Sequence, residues 1–209
     1  QIPKHWKRYR ALDYGLDMLA VGWYAVDENG RSYMYRELVQ PGLIVQDAAK
    51  QILDMTMPDE HIEITFAPPD IWSRQKDTGK TMAEVFMQCG VPIVRASNNR
   101  VQGFLQVKEA LANMPDGKPG LVLFQTCERT IGDLEDIQAD ERNPNDCAKE
   151  PHEITHTVDS VRYYCVSRTM RADARDANPS EIIYEDEDAQ EGYEEFMTGD
   201  APSAGYISY

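Results

Sequence analysis

The chain has 209 residues with 42% hydrophobic side chains, enough for one ordinary to large domain with a real core and not the composition of a disordered protein. Its 21 basic residues stand against 36 acidic ones for a net charge of −15, which argues against a domain that grips nucleic acid by bulk attraction. No apolar run reaches the roughly 18 residues of a membrane span, and the opening Gln-Ile-Pro-Lys-His-Trp lacks the shape of a signal peptide. The missing initiator Met is that expected of a fragment or processed chain. Cys89, Cys127, Cys147 and Cys165 are scattered, with no C-x-x-C pair, which fits a reducing compartment and speaks against structural zinc.

The predicted elements begin with β-structure. Arg8–Asp13 and Leu16–Val26 read as strands, Glu28-Asn29-Gly30 as a tight turn, and Ser32–Val39 as the returning third strand. After Pro41-Gly42, the apolar spacing of Ile44–Met55 predicts a helix. Glu60–Phe66 alternates as a fourth strand and stops at Ala67-Pro68-Pro69-Asp70, because proline cannot continue a ladder. A helix over Thr81–Cys89, a short strand over Val91–Ala96 and a helix over Asn98–Asn113 follow. Gly120–Cys127 reads as a buried strand. Helices near Thr130–Ala139 and over Ile154–Arg171 complete the pattern. Three strands followed by alternating elements predict an α/β layered domain on a mixed sheet. Ten of the acidic residues fall in 176–209, which has no Lys or Arg. That stretch reads as an acidic tail on a domain spanning 1–175, whose 26 acidic and 21 basic residues balance to −5.

Three carboxylates stand out by location. Asp13 ends the first strand before a turn glycine, Asp70 lies where the fourth strand stops, and Asp159 lies in the first turns of the last helix with His156 beside it. Carboxylates at strand ends converge at one edge of an α/β sheet, and a packed helix can add a third. Such a cluster repels itself unless cations neutralise it. Two divalent ions about 3.5–4 Å apart are the usual solution, and they cut phosphodiesters by in-line attack of water. Arg74, Lys76, Lys80, Arg95, Arg100 and Lys108 flank this edge and could touch phosphates. Glu37 could approach the metals, although a salt bridge is the simpler expectation. Gly79-Lys80-Thr81 imitates the end of a phosphate-binding loop without its first glycine or its strand-loop-helix context. Trp23 and Trp72 read as packing residues.

Arg10-Ala11-Leu12-Asp13-Tyr14-Gly15, Tyr33–Leu38 and Ala67–Trp72 resemble the nuclease domain of a tailed-bacteriophage terminase large subunit. So do Asp77–Glu84, Asn98–Gly103 and His156-Thr157-Val158-Asp159-Ser160-Val161-Arg162-Tyr163. The matches run in order over about residues 8–165, and the last, a His-x-x-Asp-(small)-x-Arg-Tyr pattern, is the most specific. The segment before it, Asp146–His152, is less regular than the resemblance leads one to expect.

The resemblance implies an RNase H-like fold, a central mixed sheet flanked by helices. It also implies an endonuclease that cuts concatemeric double-stranded viral DNA with two divalent ions, Mg²⁺ or Mn²⁺. By matching position, Asp13 would bridge the metals, Asp70 and Asp159 would be further ligands, and His156 an auxiliary ligand or proton carrier. The implied partners are DNA, a packaging ATPase domain outside this chain, the portal and the terminase small subunit. The implied location is the cytoplasm of the infected bacterial host, with no membrane. Two alternatives remain at this stage: another RNase H-like nuclease such as a Holliday-junction resolvase or integrase, and a non-catalytic docking module of the packaging motor.

Overall fold

The computed structural model describes residues 2–15, 17–74 and 79–176, with side chains through 168. Lys76 and the acidic stretch beyond residue 176 lie outside the described residues. The elements in chain order are β1 (Lys7–Tyr14), β2 (Met18–Val26), β3 (Ser32–Pro41), α1 (Val45–Met55), β4 (Ile62–Ala67), a 3₁₀ turn (Pro69–Trp72) and α2 (Met82–Gln88). Then come β5 (Val94–Arg95), α3 (Arg100–Leu111), β6 (Leu121–Leu123), α4 (Glu128–Asp136) and α5 (His152–Asp176). The expected order is present throughout, with the 3₁₀ turn added where two prolines end β4.

The six strands form one mixed sheet in the order β5-β4-β1-β2-β3-β6. β1, β2 and β3 pair antiparallel, while β4 runs parallel to β1, β5 to β4 and β6 to β3. β1 is therefore central. Its alternation sorts side chains between two cores. Leu12 and Tyr14 join Leu19, Val21 and Trp23 against α1 and α2. Ala11 joins Tyr24, Met34 and Phe66 against α3 and α5, with Val107, Val161 and Tyr164. By the same parity Asp13, two residues after Ala11, faces α5. That helix is held close to the strand: the Ser160 hydroxyl donates to the carbonyl of Ala11 at 3.0 Å.

Local chemistry explains the element ends. Gly30, at φ +83°, supplies the left-handed residue of the β2–β3 turn. Thr81 caps α2 reciprocally: its hydroxyl accepts the Glu84 N–H at 3.0 Å, and the Glu84 carboxylate accepts the Thr81 N–H at 2.7 Å. Gly79-Lys80-Thr81 is thus a helix start rather than a phosphate loop. The expected buried strand over Gly120–Cys127 shortens to three residues. β6 is an edge strand with one neighbour, so only Leu121 is fully buried, and the chain turns at Phe124–Cys127 to enter α4. Among the described residues, the salt bridge expected of Glu37 is replaced by hydrogen bonds to a helix N-terminus. Its carboxylate reaches from β3 to accept the backbone N–H groups of Arg129 and Thr130, each at 2.9 Å, and the Thr130 hydroxyl at 2.7 Å, capping α4 from outside.

Candidate active site

Asp13 occupies the last full pleat of β1, and His156 the second turn of α5. The His156 Nδ1 lies 2.8 Å from the Asp13 carboxylate. The other ring nitrogen, Nε2, lies 3.1 Å from the carboxylate of Asp17, in the turn between β1 and β2. Gly15 leaves room for the Asp17 carboxylate, which a methyl at that position would displace. One turn earlier on α5, His152 packs edge-on against His156, with ring centroids 4.6 Å apart. Its Nε2 sits 3.3 Å from the same Asp17 oxygen.

Asp159 follows His156 by three residues and lies on the same stretch of α5. Two arginines hold its carboxylate: Arg162 Nε at 2.7 Å and Arg100 Nη1 at 3.2 Å. Arg100 also grips Asp146 through Nε at 3.1 Å, so one guanidinium joins α3, the loop after α4 and α5. Arg162 is buried (1% exposed), lies over the rings of Tyr163 and Phe104, and keeps its Nη1 without a hydrogen-bond partner. Gly103 of α3 leaves room for it; an added Cβ would stand 2.6 Å from Arg162 Cγ. Asp70 lies exposed in the 3₁₀ turn beyond β4.

The electrostatics join these groups. Burial pushes the Asp13 carboxyl above its usual range, and the negative charges of Asp159 and Asp70 push the same way, against the hydrogen bond and charge of His156. His156 is raised in turn, foremost by its hydrogen bond to Asp13 and then by the charges of Asp13 and Asp17, against burial. Asp13 is thus the point where the three predicted carboxylates act on one another. They are not one tight ligand cage. Among the described residues, the group whose donor atoms all lie within 4.8 Å of one another is Asp17, His152 and His156.

The predicted phosphate contacts fare unevenly. Arg100 is engaged by Asp146 and Asp159, while Arg74 is exposed and donates to the Gly79 carbonyl at 3.1 Å. Lys80 is exposed just before α2, and Arg95 lies over the ring of Trp72 at 5.3 Å. Sequence reasoning missed Asp17 and His152 as members of the site. The available signal was the i, i+4 pair His152 and His156, hidden because the helix was expected to start at Ile154.

No protein-family model matches the sequence, and no curated protein matches it. Solved structures do match. The P22 large terminase nuclease domain aligns over 81% of this chain and 84% of its own, with a TM-score of 0.62 and 18% identity. The large terminase nuclease domain of bacteriophage SPP1, solved with bound Mn, covers 78% and 86% at a TM-score of 0.54 and 18% identity. The large terminase nuclease of the thermophilic phage G20c covers 80% and 84% at 0.56 and 11% identity. At such identities the likeness is one of fold, and the fold is RNase H-like.

Proposed function

We propose that this chain is the nuclease domain of a DNA-packaging terminase, a metal-dependent endonuclease that cuts concatemeric double-stranded DNA with little sequence specificity. The observation that carries this reading is the half-buried Asp13 carboxyl at the end of the central strand, 2.8 Å from His156 Nδ1 and raised first by desolvation and then by the charges of Asp159 and Asp70. Perturbed carboxyls of this kind cluster at functional sites. The shared fold with three phage terminase nuclease domains supports the class.

The donor chemistry fits divalent ions. Asp13, Asp70 and Asp159 offer the hard oxygens that Mg²⁺ and Mn²⁺ prefer, and the excess negative charge around Asp13 is the kind that a cation relieves. Two ions there would polarise the phosphate and supply an activated water. The protein's own part is to hold the groups in place. β1 fixes Asp13, α5 fixes Asp159 through Arg162, and His156 Nδ1 lies 2.8 Å from the Asp13 carboxylate, close enough to exchange a proton with it. Arg100 is the counter-ion of Asp159 until cations take over that charge. Arg74, Lys76 and Lys80 are the proposed phosphate contacts. Weak sequence preference belongs to this reading, because the sequence carries no motif that reads base edges.

With −5 on residues 1–175 and ten acidic residues beyond, the domain binds DNA weakly alone and relies on the packaging ATPase domain, portal and small subunit for delivery. Its setting is then the cytoplasm of the infected host. Incubating the 209-residue chain with supercoiled plasmid and Mg²⁺ or Mn²⁺ tests the reading. Nicking and linearisation that require metal and vanish in Asp13→Asn are expected. Cleavage indifferent to metal or to Asp13→Asn refutes the site. Cutting of four-way junctions in preference to linear duplex assigns a resolvase instead, and no cleavage with either metal leaves a docking module.

A further inference from the structure

The tightest constellation of metal-ligating side chains is not the one expected from the sequence. His152 and His156 stand one helical turn apart on α5, and Asp17 reaches across from the β1–β2 turn to both of their Nε2 atoms, at 3.3 and 3.1 Å. One donor from each residue lies within 4.8 Å of the other two. The edge of a zinc tetrahedron, with metal–ligand bonds of about 2.0–2.1 Å, is about 3.3 Å. The two edges that meet at Asp17, 3.3 and 3.1 Å, are close to it.

We propose that Asp17, His152 and His156 form a second metal site, next to the carboxylate cluster and selective for a first-row transition ion of the Zn²⁺ type. Three features point to it independently of the nuclease reading. The donor set is two imidazoles and one carboxylate, which suits Zn²⁺ and its neighbours, whereas Mg²⁺ demands six oxygens. His156 is oriented for ligation, because its Nδ1 is held by the Asp13 carboxylate at 2.8 Å while Nε2 faces Asp17 at 3.1 Å, where a bound cation would take the place of the proton shared between them. Metal-bound imidazoles almost always have this second partner, which fixes ring and tautomer. Access is also right. The His156 side chain is 6% exposed, but Asp17 and His152 are 57% and 63% exposed, so an ion enters from solvent and keeps open positions for water. Three protein ligands with an open position describe an exchangeable site rather than a closed structural one. Because His156 touches Asp13 through its other nitrogen, the two sites share one imidazole.

Zn²⁺ alone is the probe, titrated into the 209-residue chain without DNA, in a large excess of Mg²⁺ that occupies the oxygen ligands. One Zn²⁺ per chain should remain bound. In NMR spectra the ring resonances of His152 and His156 should shift together, while those of His5 and His61 stay in place. Losing an outer partner of a metal ligand costs about 10–100-fold in affinity, so Asp17→Asn and His152→Ala, each removing a ligand, should weaken Zn²⁺ by more than about 100-fold. Both positions are on the surface, and either variant serves if the other fails to fold. Asp70→Asn should leave Zn²⁺ affinity unchanged. No Zn²⁺ uptake, uptake indifferent to both ligand variants, or equal shifts at His5 or His61 would overturn the proposal. None of these readings depends on DNA cleavage, so a failed nuclease assay leaves this result standing, and the converse holds.

Discussion

The two ends of the central strands bury acidic groups in opposite ways. At one end Glu60, just before β4, meets the Arg36 guanidinium in two hydrogen bonds of 2.7 and 3.2 Å and accepts the Met57 N–H at 2.9 Å. Burial alone would raise its carboxyl, but these partners outweigh it and hold the group below the usual range. At the other end desolvation raises the Asp13 carboxyl, the charges of Asp159 and Asp70 add to the rise, and the single imidazole of His156 does not offset them. Glu60 is an ion pair completed within the fold. Asp13 is one left incomplete, which is what a site awaiting a cation requires and what stability alone would not produce.

Replacing each acid by its amide separates the two most sharply. Asp13→Asn should cut plasmid cleavage by at least about 100-fold, the usual scale for removing one fixed electrostatic group from an active site. The same change should raise the melting temperature, by about 2–4 °C for each 1 kcal/mol of strain relieved. Scanning calorimetry beside the cleavage assay reads both. A variant that cuts normally, or melts lower, would erase the contrast.

Gly103→Ala tests how Asp159 is held. The new Cβ would press on Arg162 Cγ and Cδ at 2.6 and 2.9 Å, in a contact buried between α3 and α5. A loss of about 1–3 kcal/mol is expected from this overpacking, with weaker cleavage because Arg162 positions Asp159. Denaturant titration gives the first and the plasmid assay the second.

Glu60→Gln should do the reverse of Asp13→Asn: lower stability by about 1–2 kcal/mol, with cleavage unchanged, since the pair is charged but reaches solvent. Its pH dependence has a defined sign. A carboxyl whose folded pKa lies below the unfolded value of 4.5 stabilises the fold above that pH, and loses this as pH falls through the folded pKa. The stability gap between wild type and Glu60→Gln should therefore be full at neutral pH and close below pH 4.5. A gap that persists in acid would mean that packing, not charge, makes the difference. Smallest of all, Asp59→Asn removes an ion pair with Lys4 whose side chains are 63% and 82% exposed. It should move neither the melting temperature nor cleavage.

The site was legible in the sequence to different depths. Asp13 could be placed because the first predicted strand ends there, just before the turn glycine Gly15. The two prolines announced the turn that carries Asp70. Asp17 and His152 escaped because one sits in a turn, where no periodicity applies, and the other in a first turn of helix masked by the irregular stretch before it. Glu37 was misread for a related reason. A carboxylate on a strand near a hairpin suggests a cation, whereas its partners are backbone N–H groups of α4, brought to it only because β3 passes that helix N-terminus.

The sequence by itself determined the succession of elements, the acidic balance, and the His156–Asp159 spacing that puts imidazole and carboxylate on one stretch of α5. These are local properties, written in hydrophobic period, turn residues and helical pitch. Only the tertiary structure decided which charges meet. Asp159 is neutralised by Arg100 from 59 residues away, and His156 by Asp13 from 143 residues away. Such pairs exist because α5 packs on β1 and α3 packs on α5. Contact between residues so far apart in the chain is set by how whole faces pack, which local spacing does not encode.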